Sequence, residues 1–389
     1  MSVNTMSIEQ GYQLLTSLHQ QATGNNLVVT DLSSFISVAH KTLATGYDSV
    51  LNAITQVIGK TLVAVRPYNR KFSGLEMSNE RWGGVIRKLS FGDRDPIDDP
   101  TYALNEGGTV DQYTIRKPDV LETRYTGSVV YEGSYTIFTK QLDTAFSDPA
   151  EFAAFMSGLM THFSNEREQW LEDLSRAIVC NMIAARQEIG NECFIPLITT
   201  YNQMTGQSET VISIQQPDKF DHFAKWVYAY VNNISNLMAQ RSGLFQMSTG
   251  KNINRHTPVE DQRIYFNADF LSHITSQVLA DTYHDNFLTL ADVEPVAFWQ
   301  SITDPLSVYV KPVYIDSTGT IVVPAGSPVP IAPVLGIMFD RDAMGYNIYD
   351  DSIEMSPYNA KGQYYNIFSH MRIQLQNDMT EKAAVFTLS

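Results

Sequence analysis

Residues 148–190 read DPAEFAAFMSGLMTHFSNEREQWLEDLSRAIVCNMIAARQEIG, and the reading of the fold starts from this stretch. Asp148, Pro149 and Glu151 make a strong helix start: an N-cap acid, a proline in the first turn and a capping partner three residues on. Phe152, Phe155, Leu159 and Phe163 then share one face. After a polar stretch, Leu171, Leu174, Ile178, Met182, Ala185 and Ile189 recur at threes and fours until Gly190. A single helix of ~41 residues would be ~60 Å long, beyond ordinary globular helices. A break near Gly158 to Asn165 is therefore expected, with a long second helix over roughly 165–189. Glu166, Glu168, Glu172 and Asp173 are expected on its solvated face, and Cys180 fits the pattern as a small apolar residue.

On the N-terminal side, residues 1–59 read as helices. Ser7 and Gln10 make a capping-box pattern before Tyr12, Leu15 and Leu18, up to Gly24. Phe35, Val38 and Leu43 form a second series; Leu51, Ile54 and Val57 form a third, with Gly59 as its stop. Residues 60–125 differ in kind, holding 11 of the 27 basic residues amid Gly, Pro and Asp. Within 60–94, eight basic residues face three acidic ones, a net charge of +5, against −20 for the rest of the chain. Short apolar runs (TLVAV at 61–65, VIRKLSF at 85–91) lie between turn signals such as DPIDDP at 95–100 and NEGG at 105–108. They predict a long two-stranded excursion, marginal alone and in need of something to pack on.

Residues 125–140, YTGSVVYEGSYTIFTK, are β-rich. Pro217 opens a helix carrying Phe220, Phe223, Val227, Val231, Ile234 and Leu237 before Gly243. RIYF at 263–266 reads as a strand, Asn267 as a cap, and Phe270, Ile274 and Val278 as the helix that follows. VYVKPVYI (308–315) and TIVVP (320–324) predict a hairpin around DSTG. VLGIMF (334–339), NIYDDSIEM (347–355), the alternation from Tyr365 to Leu375 and KAAVFTL (382–388) predict a mostly β C-terminal part. Strands and helices mix without a βαβ rhythm, so the fold class is α+β.

At 389 residues, the length suggests two or three domains or one elaborated domain. Hydrophobic residues at 43% and charged residues at 18% supply a sizeable core and exclude a disordered chain. The net charge of −15 argues against coating duplex DNA through a strongly basic surface. Mean hydropathy is −0.17, and no apolar run nears the ~20 residues of a membrane helix. MSVNTMSIEQGYQ shows no signal-peptide pattern. Cys180 and Cys193 are too few for a disulfide framework or a four-thiolate zinc site, and point to a reducing compartment.

Chemistry-bearing motifs are weak. ITQVIGKT (54–61) has Ile where a phosphate-binding loop needs its first Gly, and reads better as a helix ending at Gly59. His273 and His284 lie 11 residues apart; on one helix they would face alike but ~16 Å apart, too far to share an ion. Asp98 and Asp99 sit in a Pro-flanked turn, where Asp is expected for local hydrogen bonding rather than as a hydrolase pair. No catalytic, metal or cofactor site is expected. Arg66, Arg70, Lys71, Arg81, Arg87 and Lys88 are candidates for contact with an acidic surface of an identical neighbour, with Trp82 as an aromatic anchor. Solubilising an exposed hairpin and touching nucleic acid are the other readings of this cluster.

The order of parts, together with QRIYFNADFLSHITSQV (262–278), DRDAMGYNIYDDSIEM (340–355), NAKGQYYN (359–366) and KAAVF (382–386), resembles a major capsid protein of tailed bacteriophages with the HK97-type fold. The shell proteins of small phi29-type podophages are most similar. The likeness is one of layout over nearly the whole chain, strongest over about 335–388, with no single diagnostic motif. The chain is expected to lack that type's C-terminal immunoglobulin-like module, since it stops at Ser389 after the last predicted strand.

The resemblance implies an N-terminal helical arm over 1–59, an extended loop over 60–125 lying across a neighbouring subunit, and a peripheral domain with a spine helix over 126–200. Residues 201–340 would be mainly the axial domain, meeting others around five- and six-fold axes, and 341–389 strands returning to the peripheral domain. It implies a non-enzymatic subunit without cofactor that assembles through hexamers and pentamers into an icosahedral or prolate shell around dsDNA. The implied partners are a scaffolding protein, a portal protein, decoration proteins and packaged DNA held without sequence specificity, but no membrane. The implied location is the virion, after assembly in the host cytoplasm. The rival readings are an encapsulin-like bacterial compartment, a tail or connector component, and a hydrolase using Asp98, Asp99 or the His273–His284 segment.

Overall fold

The computed structural model describes residues 8–25, 27–61, 68, 70–77, 85–96, 105–126, 128–273, 293–328, 330–331 and 333–389. In chain order the elements are α1 (Ile8–Thr23), α2 (Leu32–Leu43), α3 (Tyr47–Thr61), β1 (Val85–Phe91), β2 (Val120–Thr126), β3 (Val129–Phe138), α4 (Thr139–Ala145) and α5 (Pro149–Ile189). There follow β4 (Phe194–Pro196), α6 (Leu197–Thr205), α7 (Pro217–Ala239), β5 (Gln262–Asn267), β6 (Val293–Val296), β7 (Tyr314–Ile315) and β8 (Ile321–Val322). The chain closes with β9 (Val334–Asp340), β10 (Met344–Met355), β11 (Tyr364–Asn377) and β12 (Ala383–Thr387). These divide into two units: residues 1–83, 128–174 and 347–374 form the first, and 84–127, 175–346 and 375–389 the second.

In the first unit, α1 to α3 form where the three apolar series predict them. Asp31 caps α2 by accepting the Ser34 N–H at 2.7 Å, while the Ser34 hydroxyl accepts the Asp31 N–H at 3.0 Å. The α3 helix runs past Gly59 to Thr61, so Gly59 is not the stop the sequence suggested. Leu15, Leu18, Phe35, Val50 and Ile54 bury against Phe152, Met156 and Leu159 of α5. The strand order β10-β11-β3 makes a three-stranded sheet, with β3 and β11 antiparallel from Phe138↔Tyr364 to Val129↔Ile373. Gly133 of β3 is where Trp170 of α5 sits: a Cβ there would run into the indole, on which Tyr131 also stacks at 6.1 Å between ring centroids.

The expected break in the long helix does not occur, and α5 is continuous over 41 residues. One glycine inside a helix costs about 1 kcal/mol against alanine, whereas each buried large apolar side chain contributes about 1.5–3 kcal/mol. Phe152, Met156, Leu159 and Phe163 are buried around Gly158, and Leu171, Leu174, Ile178 and Met182 are buried beyond it. Packing along both stretches thus outweighs the local weakness.

The second unit is built on a five-stranded sheet in the order β4-β12-β9-β5-β6. The outer pairs β4/β12 and β5/β6 are parallel; β12/β9 and β9/β5 are antiparallel. Phe223, Val227, Val231 and Ile234 of α7 pack onto Ile264, Phe266, Leu335, Met338 and Phe386 of the sheet. Asn267 caps the turn after β5 by accepting the Phe270 N–H at 3.0 Å. The predicted 308–324 hairpin is reduced to the pairs Tyr314↔Val322 and Ile315↔Ile321. Pro312 has no N–H to give, and the Asn181 side chain takes both the N–H and the C=O of Val313, at 2.8 and 2.9 Å.

Candidate functional site: a pinned hairpin

Strands β1 and β2 pair antiparallel from Val85↔Thr126 to Phe91↔Val120. Because side chains alternate along each strand, the hairpin has two unlike faces. On one face Leu89, Phe91 and Val120 are 47%, 60% and 42% exposed, beside the exposed charges of Arg87, Glu122 and Arg124. Lys88, Ser90 and Tyr125 lie on the other and are wholly or partly buried.

That second face is pinned by charge. The Lys88 ammonium lies 2.7 Å from Asp378 and also bonds Glu381, both in the turn between β11 and β12. Arg255 reaches Glu381 at 3.3 Å and donates to the Ser90 hydroxyl at 2.6 Å. Asp378 additionally accepts the Thr380 N–H and hydroxyl at 2.8 and 2.6 Å. Burial by itself would favour the neutral amine of Lys88, but the charges of Asp378 and Glu381 outweigh it and hold the ammonium above its usual range. Burial likewise pushes Asp378 up, and the Lys88 charge with the Lys88 and Thr380 hydrogen bonds brings it below the ordinary carboxylate value. Burial, then the Asp378 charge and hydrogen bond, push the Tyr125 phenol up.

Further along, the Asp93 N–H donates to the Asn252 carbonyl at 2.7 Å, and the Asp93 carboxylate accepts from Arg241 and from Asn254, the latter at 3.2 Å. Lys251 donates to the Val120 carbonyl at 2.6 Å. Beyond these pins, residues 105–119 are exposed throughout, with Tyr113 83% and Ile115 82% accessible.

The sequence-derived candidates fall into three groups. Lys88 is one of the anchors, and Arg87 beside it makes an exposed pair with Glu122 at 2.7 Å, which solvent screens. Arg70 and Lys71 belong to the first unit. Arg70 is buried and spent on Glu76 and on Glu168, the latter at 3.1 Å, while Lys71 is exposed and its N–H donates to Glu172 at 3.4 Å. Arg66, Arg81 and Trp82 lie outside the described residues, as do Asp98, Asp99, Ile274, Val278, His284 and part of the TLVAV run.

One expectation is therefore corrected: Glu168 and Glu172 are not on a solvated face, because both are buried, Glu172 accepting from the Tyr68 hydroxyl and Glu168 pairing with Arg70. Phe72 and Leu75, beside Tyr68 and Arg70 in sequence, are also buried. His273 is half exposed, 3.8 Å from Asp269. Cys180 is buried as expected, with burial pushing its thiol up to about 12. Among the described residues no group of three or more His, Cys, Asp or Glu is placed to hold a metal ion, and no helix is long and apolar enough to cross a membrane. Sequence reading missed Asp93, Arg255, Asp378 and Glu381; a charged turn, NDMTEK at 377–382, was the only signal.

Two buried cations tie the same turn to α5 and to the end of α7. Arg186 donates to the Glu381 carbonyl at 2.8 Å, and Lys382 to the Gln240 carbonyl at 3.0 Å and the Ser242 hydroxyl at 2.9 Å. Burial lowers the Lys382 ammonium from 10.5 to about 8. Between those values the unfolded chain holds a proton that the folded chain has lost, so stability rises with pH there. Stability should therefore rise from pH 8 to 10.5 through this group, and Lys382→Met should abolish that part of the rise in urea melts taken across the window.

The backbone arrangement as a whole is that of a phage capsid chain of the HK97 type. A chain in the capsid structure of Staphylococcus phage Andhra aligns over 84% of this chain and 86% of its own length, at 11% identity and a TM-score of 0.54. A chain in the structure of the head fiber and inner core protein gp22 of native bacteriophage P68 aligns over 82% and 85%, at 12% identity and a TM-score of 0.56. The sequence model of the family described as Phi29-like phage major capsid protein matches residues 13–387, and the chain belongs to that family. No curated protein matches the chain. Its role is that of a shell-forming structural subunit and virion component, and this membership does not favour the compartment, tail or connector readings.

Proposed function

We propose that copies of this chain build the closed shell around a dsDNA genome by laying the pinned hairpin across a neighbouring copy. The supporting observation is the contrast between its faces: one is locked by Lys88 and Arg255, while the other exposes Leu89, Phe91 and Val120 and continues into the exposed Tyr113 and Ile115. These apolar side chains gain their burial from another chain, and many weak copies of the contact sum on closure. On this reading residues 126–200 with α5 serve as the peripheral domain, 201–340 chiefly as the axial domain and 341–389 as returning strands. Hexamers and pentamers form in the host cytoplasm around a scaffolding protein, with a portal protein at one vertex and decoration proteins outside. The subunit carries out no catalysis and holds DNA without sequence specificity.

Electron microscopy of the concentrated, purified chain, alone and with its scaffold, tests this. Replacing residues 97–115 by a short Gly-Ser linker should leave thermal unfolding nearly unchanged and eliminate closed shells. Shells of normal size from that variant would overturn the role given to the hairpin. A wider deletion over 66–116 would not isolate it, because it also removes the buried Phe72 and Leu75 and the Lys88 anchor.

A further inference from the structure

The hairpin has an open edge with a cleft beside it. The Gly92 N–H donates to the Asp119 carbonyl at 2.8 Å, which makes 92 and 119 a hydrogen-bonded position of the ladder. Alternation along an antiparallel ladder then turns the N–H and C=O of Val120, Glu122 and Arg124 away from β1. The Lys251 bond to the Val120 carbonyl fits this phase. No third strand pairs with β2 among the described residues. Along β2 runs a cleft of about 410 Å³, lined by Leu121–Tyr125, by the apolar Met247, Ile315 and Met379, and by polar residues including Asp316, Asn377 and Asp378.

The chemistry of the cleft is complementary to one exposed stretch of the same sequence. Residues 113–117, YTIRK, alternate in type, with Tyr113, Ile115 and Lys117 on one side and Thr114 and Arg116 on the other. They are exposed and belong to no helix or strand. Arg116 and Lys117 meet no carboxylate among the described residues. Asp316 at the rim accepts hydrogen bonds from Thr318 and Thr320 but meets no cation among the described residues. The apolar side chains of 113–117 thus match Met247, Ile315 and Met379, and Arg116 and Lys117 match Asp316 in charge.

We infer that residues 113–117 of one copy add as a strand to the open edge of β2 in a second copy, with Tyr113 and Ile115 in the cleft and Arg116 or Lys117 near Asp316. Main-chain bonds to Glu122 and Arg124 supply the affinity, and the cleft fixes the register. The contact is head-to-tail, so each hairpin both gives and receives a strand and the chains link in series. This rests on the shell reading above and names the surface on the receiving copy.

Cysteine pairs test it in the full chain. Glu122→Cys would be combined in turn with cysteine at each position from 113 to 117, and assembled particles run on non-reducing gels. The native Cys180 and Cys193 are buried and give little background. Strand addition should give a ladder of chain multiples whose yield alternates with a period of two, at least tenfold between the best and worst neighbours. Particles that crosslink nowhere, or equally at every position, would overturn the inference and leave the shell reading standing. A wild-type chain that forms no lattice even with its scaffold would remove both. As a second variant, Arg124→Pro deletes an outward N–H that β1 does not use; unchanged thermal unfolding with at least a tenfold loss of shells is expected, and normal shells would count against the inference. If proline instead unfolds the hairpin, the crosslinking pattern still decides.

Discussion

The Lys88→Met variant should lose about 3–5 kcal/mol of stability, because it leaves Asp378 charged and buried without its cation. Asp378 is 2% exposed and Glu381 6%. Arg255 partly compensates Glu381 at 3.3 Å, whereas among the described residues Asp378 keeps the neutral partners Thr380 and Tyr125. Adding Asp378→Asn should restore part of the loss, since the remaining pair is then neutral, and a double-mutant cycle by urea unfolding measures the coupling. The pH dependence has a definite sign. Asp378 is held below 3.8, so its contribution is complete above that value and is lost as pH falls through the lower folded one. Lys88 is held above 10.5, so its contribution is complete below that value and is lost as pH rises through the higher folded one. The wild-type pair should therefore give a flat contribution between about pH 4 and 10, and in the variant both outer limbs should be shallower. A variant as stable as wild type at pH 7 would mean that the anchor contributes nothing.

Gly336→Ala should cost at least as much as ordinary overpacking, about 1–3 kcal/mol, and more if the sheet cannot open. Gly336 lies in β9, between β5 and β12, and all seven residues of that strand are buried. An added Cβ would run into the Phe266 ring and sit 2.9 Å from the Tyr265 carbonyl oxygen. The ring can turn, but the carbonyl belongs to a neighbouring strand and cannot withdraw without parting the ladder. Phe266→Leu should therefore rescue only a fraction, and thermal unfolding of the single and double variants tests this. Full rescue would place the whole cost on the ring.

Most of the layout was legible because it depends on periodicity. The apolar series of α1 to α3, the Pro217 start of α7 and the alternation of β10 and β11 each follow from side chains a few residues apart. What failed depends on distant parts of the chain. Glu168 and Glu172 read as a solvated face because nothing local announces that Tyr68 and Arg70 will come to lie on them. Gly158 read as a break because the burial that holds α5 together lies in other elements. Residues 308–313 read as strand because the Asn181 side chain that takes the backbone groups of Val313 is 132 positions away. The basic cluster in 60–94 singled out Lys88 as a contact to a neighbouring copy, whereas its partners here lie in the same chain, 290 and 293 residues downstream, where no local pattern announces them.

The two cysteines bear on durability. Both thiols are buried and both are pushed up by that burial, Cys180 to about 12. Oxidation proceeds through an accessible thiolate, and the folded chain offers neither the access nor the thiolate. In a particle made of this subunit the two thiols should therefore stay reduced in aerated water, and oxidation should instead reach exposed methionines such as Met204, which is 62% accessible.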